Sequence, residues 1–295
     1  MIELRHLRHF VAVAEELNFR RAAERVHIDQ TPLSRTIRDL EDRLGLQLFV
    51  RGPRKLHLTP AGLRLLKEAR KVFIRIDRAY RAVRETDARF RAPLRIGIAD
   101  GIAQPRLSEC LIRWPKSMPE VPLEVMELRA SELANALERE EIDAGFSFGL
   151  PDNDAIAQQP AWSYPVMAIL PTGHELASQT VLSLAELLAF PLLSCHAERQ
   201  PGLLRQMRTI VRRHTTTPTL AGEACTLTGY VTRIAAGLAV GLGDAGHVAT
   251  LCRSDVLAVP LREDERITTF VLHKHQRFGL PDALHRFVAH AKTLQ

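Results

Sequence analysis

Gln30, Thr31, Ser34, Arg35 and Arg38 follow one another at spacings of one, three, one and three. On a helix that spacing gathers them on one side. Their chemistry is that of nucleic-acid readout: a guanidinium pairs with guanine edges, Gln with adenine, and Ser or Thr with phosphate or bases. Pro32 sits among them, where a first helical turn tolerates its missing N–H. Arg51, Arg54 and Lys55 then surround Gly52-Pro53, a basic turn suited to lie against phosphate or in a minor groove. Farther on, the loop Ser194–Pro201 holds Cys195, His196 and Arg199, and Thr226 follows Cys225. A Cys beside a His suggests a thiol nucleophile or sensor, and the simpler reading is a loop thiol lining a binding pocket. Gly241-Leu242-Gly243-Asp244-Ala245-Gly246 matches the glycine pattern of dinucleotide-binding turns, with acids at Glu263–Glu265. It comes too late in the chain to leave room for a full dinucleotide-binding unit. The four cysteines show no CxxC or Cys/His ligand spacing, so neither a metal site nor a disulfide framework is indicated and no cofactor is expected. Cys195 and Cys225 as a redox pair stays open, because spacing alone does not bring two thiols together.

The elements that must position the first group are short. Leu7, Phe10, Val11, Ala14 and Leu17 have the spacing of an amphipathic helix. Asn18 can cap a second helix, Phe19–Val26, whose Ala22 and Ala23 allow close packing. A polar turn, 27–30, leads to a third helix, Thr31–Leu44, with Leu33, Ile37, Leu40 and Leu44 inward and Gly45 to end it. Residues 47–59 read as two strands around the basic turn. Two short helices, a turn and a third helix with a polar outer face describe a helix-turn-helix with a wing. A small helical domain with a solvated basic face is the other reading.

The stretch AAERVHIDQTPLSRTIRDLEDRLGLQLFVRGPRKLHLTPAG resembles the winged helix-turn-helix of LysR-type transcriptional regulators over some sixty residues, Leu4 to Gly62. The paired alanines, Gln30, Pro32-Leu33-Ser34, Leu44-Gly45, Leu48-Phe49 and Leu58–Gly62 carry the resemblance. Asp29 departs from it, standing where such proteins often have Ser, so a phosphate contact is not expected there. As a helix N-cap Asp29 still serves.

After Thr59-Pro60 a long helix is expected to about Ala88. Leu66, Ala69, Phe73, Ile76, Tyr80 and Val83 alternate at spacings of three and four, an a/d seam. Such a stripe needs a partner. A second copy of the chain is the economical one, and the resemblance implies the same; packing against the chain's own domains is the alternative. Arg91-Ala92-Pro93 closes the helix.

Beyond it, apolar runs alternate with helical stretches: strands at 94–99, 123–128, 142–148, 166–170, 192–194, 219–223, 238–242 and 266–274, with helices between them and a last helix at 281–294. This alternation predicts parallel sheets with crossover helices, in two small lobes around a cleft. In such sheets ligands sit beyond the carboxyl ends of strands, where helix N-termini favour anions. The region resembles the effector-binding part of LysR-type regulators, which is similar to periplasmic binding proteins. LRIG at Leu94–Gly97 and NALEREEIDAGF at Asn135–Phe146 resemble members that sense aromatic acids. The resemblance makes Asp100, Gly101 and Ile102, with Arg129, Ala130 and Ser131, candidate effector contacts. Asp100 stands where such members often carry a hydroxyl; Arg129 can take a carboxylate bidentately.

The expected organisation is a winged helix-turn-helix over 1–58, a linker and dimerisation helix over 59–91, and a Rossmann-like α/β effector region over 92–295. Within that region, subdomain I spans about 92–163 and 269–295, and subdomain II about 164–268. Charge agrees with the division. The 295 residues carry 40 Lys+Arg and 34 Asp+Glu, a net of +6. Residues 1–91 hold 21 basic and 12 acidic groups, a net of +9, and the remainder is −3. Affinity for a polyanion is thereby assigned to the first third. No apolar run reaches a membrane span and no secretory leader is recognised, so a cytoplasmic protein is expected. The reading is a non-enzymatic DNA-binding regulator. Its expected partners are double-stranded DNA, a small-molecule effector, a second or fourth copy of itself, and RNA polymerase. An α/β oxidoreductase or thiol enzyme with a fused basic domain is the alternative.

Overall fold

The computed structural model describes residues 2–51, 56–84, 92–213, 217–276 and 279–294. The chain divides into two units, Met1–Thr86 and Asp87–Gln295.

In the first unit, α1 (Leu4–Glu16), α2 (Phe19–Arg25) and α3 (Gln30–Leu44) precede a hairpin, β1 (Phe49–Arg51) and β2 (Leu56–Leu58), and α4 (Pro60–Arg84). The core is built from Phe10, Val13, Ala22, Ala23, Leu33, Ile37, Leu40, Leu48 and Phe49. Ala22 and Ala23 bring α2 close to its neighbours, and the Phe10 and Phe49 rings lie 5.5 Å apart. The face that α1 buries is turned from the one its apolar residues suggest. His6, Phe10 and Val13 are inside, while Leu17 is an exposed C-cap in the left-handed region, φ 47°. A histidine enters the interior because both ring nitrogens are satisfied there: Nδ1 accepts from the Glu3 N–H, and Nε2 bonds Asp39 at 3.0 Å. Asn18 caps α2 by accepting from the N–H groups of Arg20 and Arg21. Asp29 holds the N-cap position of α3, but its side chain makes no cap bond, so the capping expected of it is not realised.

The hairpin pairs Phe49 with Leu58 and Arg51 with Leu56. Arg54, Lys55 and the Arg51 side chain lie outside the described residues. At Gly62 an added Cβ would meet the Leu48 carbonyl oxygen at 2.2 Å, so α4 rests directly on the hairpin backbone only because that residue is glycine. Along α4, Leu66 packs on the core of its own unit and Ala69 is sealed within it. Arg70 holds Glu15 of α1 at 2.7 Å. Phe73 and Ile76 are half-buried, and Tyr80 and Val83 are exposed. The first part of the a/d seam is therefore spent inside one chain.

In the second unit β3 (Leu94–Ile98), α5 (Pro105–Ser117), β4 (Leu123–Glu127), α6 (Ala130–Arg139) and β5 (Ala144–Ser147) alternate as the apolar runs suggest. There follow β6 (Ile156–Pro171), α7 (Leu184–Leu188), β7 (Leu192–Cys195), α8 (Pro201–Arg212), β8 (Leu220–Ala224), α9 (Leu227–Ala235), β9 (Gly241–Asp244), α10 (Ala245–Val248), β10 (Val256–Pro260), β11 (Arg266–Lys274) and α11 (Asp282–Lys292). The first lobe orders its strands β4-β3-β5-β11-β6, with β3 parallel to both neighbours and β11 antiparallel to β5 and β6. In the second lobe β9 and β10 flank the end of β6, and β7 pairs with β8 in parallel. A bridge between Leu192 and Val240 brings the β7–β8 pair beside β9.

The long strand β6 belongs to both lobes. Residues 156–165 pair with β11, and 166–171 pair with β9 and β10. Its first half is invisible to hydropathy patterning, since Gln158, Gln159, Pro160 and Pro165 argue against a strand. The fold accepts them because that half has β11 as its only strand neighbour, and the register slips between Thr269 and Phe270, opposite Trp162 and Pro160. No described helix is long and apolar enough to cross a membrane.

Replacing Asn18 by Ala leaves two N–H groups of α2 without their acceptor. A stability loss of about 1 kcal/mol in the first unit is expected, read from the urea midpoint by circular dichroism. An unchanged midpoint would show the cap to be idle.

Candidate functional site

The first unit presents an exposed polar and basic face on α3. Gln30, Thr31, Pro32, Arg35 and Arg38 are exposed on α3 and Ser34 is half-buried, while Leu33, Ile37 and Leu40 seal the opposite side. Anchors fix this helix. Asp39 takes His6 and Arg43, and Glu41 Oε1 accepts from the N–H groups of Leu48 and Phe49 at 2.8 and 3.2 Å, tying α3 to the start of the wing. Arg35 and Arg38 make no ion pair among the described residues, so both guanidiniums are available to an outside anion.

In the second unit, polar side chains collect where the carboxyl ends of β3, β5, β7 and β9 face one another. Gln104, 1% exposed, is the hub. Its Nε2 donates to Asp244 Oδ1 at 2.8 Å, and its Oε1 accepts from Trp162 Nε1 at 2.7 Å and Thr269 Oγ1 at 2.8 Å. Asp244 Oδ2 holds His247 Nδ1 at 2.6 Å. Through Nε2, His247 reaches the Gly101 carbonyl at 3.3 Å and the Ala103 N–H at 3.2 Å. The two contacts suit different states: the neutral ring accepts from Ala103, and the protonated ring donates to Gly101. Burial opposes the charge on His247, but the bond and charge of Asp244 outweigh it, and its pKa stands above the ordinary value. Burial likewise opposes charge on Asp244, and His247 overcomes it, holding that carboxyl below the usual range.

Further bonds join the lobes. Gln200 Nε2 donates to the Asp100 carbonyl at 3.0 Å, and Arg205 Nη2 to the Gly149 carbonyl at 2.7 Å. Gln206 donates to the carbonyls of Phe148 and Thr268, both at 2.8 Å. Beside Asp244 and His247, within the second lobe, a cavity lined by Cys195, Gln200, Leu203, Asp244, His247 and Leu251 measures about 40 Å³, a size that suits water rather than an organic acid. The bonds between the lobes hold the two together.

The residues that sequence singled out fall in different places here. Asp100 is buried, with φ +60°. Its Oδ2 accepts from Ser147 Oγ and the Phe148 N–H, and its Oδ1 has no partner. Burial raises its pKa. Gly101 meets His247, and Ile102 is inside. Arg129 and Ser131 are exposed at the start of α6 and Ala130 is buried. Cys195 lines the small cavity beside Asp244 and His247, but its thiol is pushed up to about 12 by burial, so it is no nucleophile at neutral pH. His196 is half-buried; Arg199, Cys225 and Thr226 are exposed, and Thr226 Oγ1 accepts from the Gly229 N–H to cap α9. All four cysteines are free thiols. Ala224 is the register partner of Cys195, and the following Cys225 is exposed while Cys195 and Ala224 are buried, so the two thiols face opposite ways.

The glycine pattern at 241–246 is explained by packing. Added Cβ atoms would strike the Ile234 side chain at 2.4 Å from Gly241, Ile169 at 2.6 Å from Gly243, and the Tyr164 ring at 2.6 Å from Gly246. The helix that follows has four residues and starts at an Asp side chain, which occupies the place a pyrophosphate would need. Gln104, Gln206, Asp244 and His247 escaped the sequence reading. A signal for them existed in Asp244, an N-cap acid with His three residues on. Its link to Gln104 spans 140 positions. Among the described residues no group of three or more His, Cys, Asp or Glu side chains is placed to hold a metal.

Residues 4–63 match the model of the bacterial regulatory helix-turn-helix proteins of the lysR family, and residues 87–295 match that of the LysR substrate binding domain. The chain is 33% identical over 275 residues to the uncharacterised HTH-type transcriptional regulator YnfL of Escherichia coli, covering 90% of each. It is 34% identical over 275 residues to the HTH-type transcriptional regulator CatR of Pseudomonas putida, covering 93% of each. A structure of full-length CbnR with its target DNA superposes with a TM-score of 0.79 over the whole of both chains, at 22% identity. The relatives are transcriptional regulators, not enzymes.

The His247–Asp244 pair makes stability depend on pH in a defined sense. His247, with its pKa raised from 6.5, stabilises fully below that value and loses its effect as pH rises through the folded value. Asp244, lowered from 3.8, stabilises above that value and loses its effect as pH falls through its folded one. The melting-temperature gap between the wild type and His247→Gln should be widest between these limits and narrow at higher pH. A gap independent of pH from 5 to 9 would contradict the pairing.

Proposed function

The chain belongs to the LysR family of DNA-binding transcriptional regulators with a small-molecule-binding domain, and from that premise we propose how this member reads DNA and what governs it. The α3 face enters the major groove, with Arg35, Arg38 and Gln30 reaching base edges and Thr31 and Ser34 the backbone. Arg51, Arg54 and Lys55 of the wing meet phosphate or minor groove. The observation that carries this reading is the exposed Gln30–Arg38 surface on a helix whose other side is sealed into the core. Two chains join through α4 from Phe73 onward, as a homodimer or a pair of dimers, so that two α3 helices address one operator. The site of action is the cytoplasm, with the DNA.

The regulating ligand enters between the lobes of the second unit. To seat there it must replace the bonds that Gln104, Gln200 and His247 make across the closed cleft. It therefore favours a different lobe arrangement, and its differential affinity shifts the balance between the two. A small carboxylate or aromatic acid suits the site. The N-termini of α5, α6, α8 and α9 all follow carboxyl ends of strands, and exposed Arg129 and Arg199 add positive charge nearby. Asp244 is balanced by His247, and Asp100 is driven toward its neutral form.

Fluorescence anisotropy with duplex DNA from beside the protein's own gene tests the first part; no binding at low salt overturns it. Arg35→Ala is expected to cost about 1–3 kcal/mol on the preferred sequence and little on others. Arg54→Ala should weaken binding to any duplex and flatten the salt dependence by about one ion. Equal losses for both variants on every DNA would overturn these roles. A thermal-shift series with small carboxylates and aromatic acids tests the ligand class; no shift with any of them contradicts it.

A further inference from the structure

A second cavity lies in the second lobe, against α8, the helix whose Arg205 and Gln206 bond to the first lobe. It measures about 260 Å³ and sits between α8 and the β7–β8 pair. Leu192, Cys195 and Leu242 line one side, Leu204 and Met207 of α8 the other, and Tyr230 the end. A void of about 150 Å³ lined by aliphatic groups takes benzene, so this one has room for a larger apolar body. It opens to solvent on the side of the exposed Arg208, Arg212, Thr217 and Leu220, so a guest can enter.

Among the described residues, the hydroxyls and the thiol deep in the cavity are already engaged or neutral, and Thr217 lies at its exposed mouth. The Tyr230 hydroxyl is used up: its one proton goes to the carbonyl of Leu193 or Leu242, at 3.2 and 3.0 Å, and its oxygen accepts from the Leu242 N–H at 2.9 Å. The Ser194 hydroxyl is turned to the Cys195 carbonyl at 3.3 Å. The Cys195 thiol, buried, is neutral. The rim is different. Arg208 and Arg212, one turn apart on α8, are exposed, border the cavity and make no ion pair among the described residues. Neighbouring Arg205 and Arg213 are engaged, with the Gly149 carbonyl and with Glu265. Leu220, 58% exposed, stands at the cavity edge on β8.

An apolar interior with its hydroxyls satisfied, closed by two unpaired guanidiniums, describes one kind of guest. We propose that this cavity is a binding site, separate from the interlobe cleft, for a monocarboxylate with a medium-length or branched apolar tail. The tail fills the space between Leu204 and Leu242, and the head is taken by Arg208 and Arg212. Its floor includes Cys195, which also lines the small cavity beside Asp244 and His247, so occupancy here bears on the residues that meet the first lobe.

Isothermal titration of the full-length protein with octanoate, 1-octanol and butanoate tests it. Octanoate is expected to bind at least about tenfold more tightly than either comparator, since only it has both tail and charge. Leu220→Glu, an exposed change that leaves the core intact, puts an acid at the mouth and should weaken octanoate by about tenfold or more while sparing octanol. The Arg208→Ala/Arg212→Ala double variant should bring octanoate down to octanol. The proposal is overturned if octanoate fails to bind at millimolar concentration, or if it binds both variants as it binds the wild type. The second result would place the acid elsewhere, and it leaves the interlobe reading untouched.

Discussion

A buried primary amide must have all its polar atoms satisfied, and Gln104 is such an amide. It lies at the N-cap of α5 in the first lobe, yet its donor is answered by Asp244 of the second. Its acceptor is answered by Trp162 on β6 and Thr269 on β11, the two strands that pair beside the lobe junction. One side chain thus fixes three things at once: the loop after β3, the pair of long strands, and the approach of the second lobe. Parting the lobes strands a buried amide and a buried acid together.

The charges around this point are arranged to keep the closed state from repelling itself. Asp244 and Asp100 both sit where burial disfavours a carboxylate. Asp244 is answered by His247, whose far nitrogen also reaches across to the Gly101–Ala103 loop. Asp100 accepts two bonds on one oxygen and none on the other. The acid in the first lobe is thus the strained member, and the acid in the second is the settled one. This contrast gives the cleft its polarity. In the first unit cationic heads are treated the other way. Arg70 and Arg43 are spent on internal bonds, while Arg35 and Arg38 stand exposed with no ion pair among the described residues.

Legibility varied with the range of the interactions. The third helix was plain, because its inward leucines and outward Gln30, Arg35 and Arg38 obey one local period. The α/β alternation was plain for the same reason. His6 was not singled out, since nothing nearby in sequence announces the Asp39 that lets it be buried. The heptad along α4 was real as a pattern, but Ala69 fills the core of its own unit. A period shows that a face is apolar and says nothing of what covers it. The first half of β6 was hidden by its prolines, which only its place at a sheet edge permits. The glycines at 241–246 mimicked a phosphate-binding turn, and the contacts show them making room for Ile234, Ile169 and Tyr164.

What the sequence alone determined was everything carried by short-range periodicity and by counting charge. That covers a winged helix-turn-helix, a long helix, a two-lobed α/β region, and a +9 first third against a −3 remainder. Tertiary structure decided which polar groups are used and which are left over. The Gln104–Asp244, His247–Gly101 and Gln206–Phe148 bonds join residues 140, 146 and 58 positions apart. The same separation sets Asp100 aside as a buried acid with an open oxygen and leaves Arg208 and Arg212 unpaired at the rim of an apolar cavity. The reason is physical: a hydrogen bond acts over about 3 Å, and only the folded chain brings such distant residues within that reach.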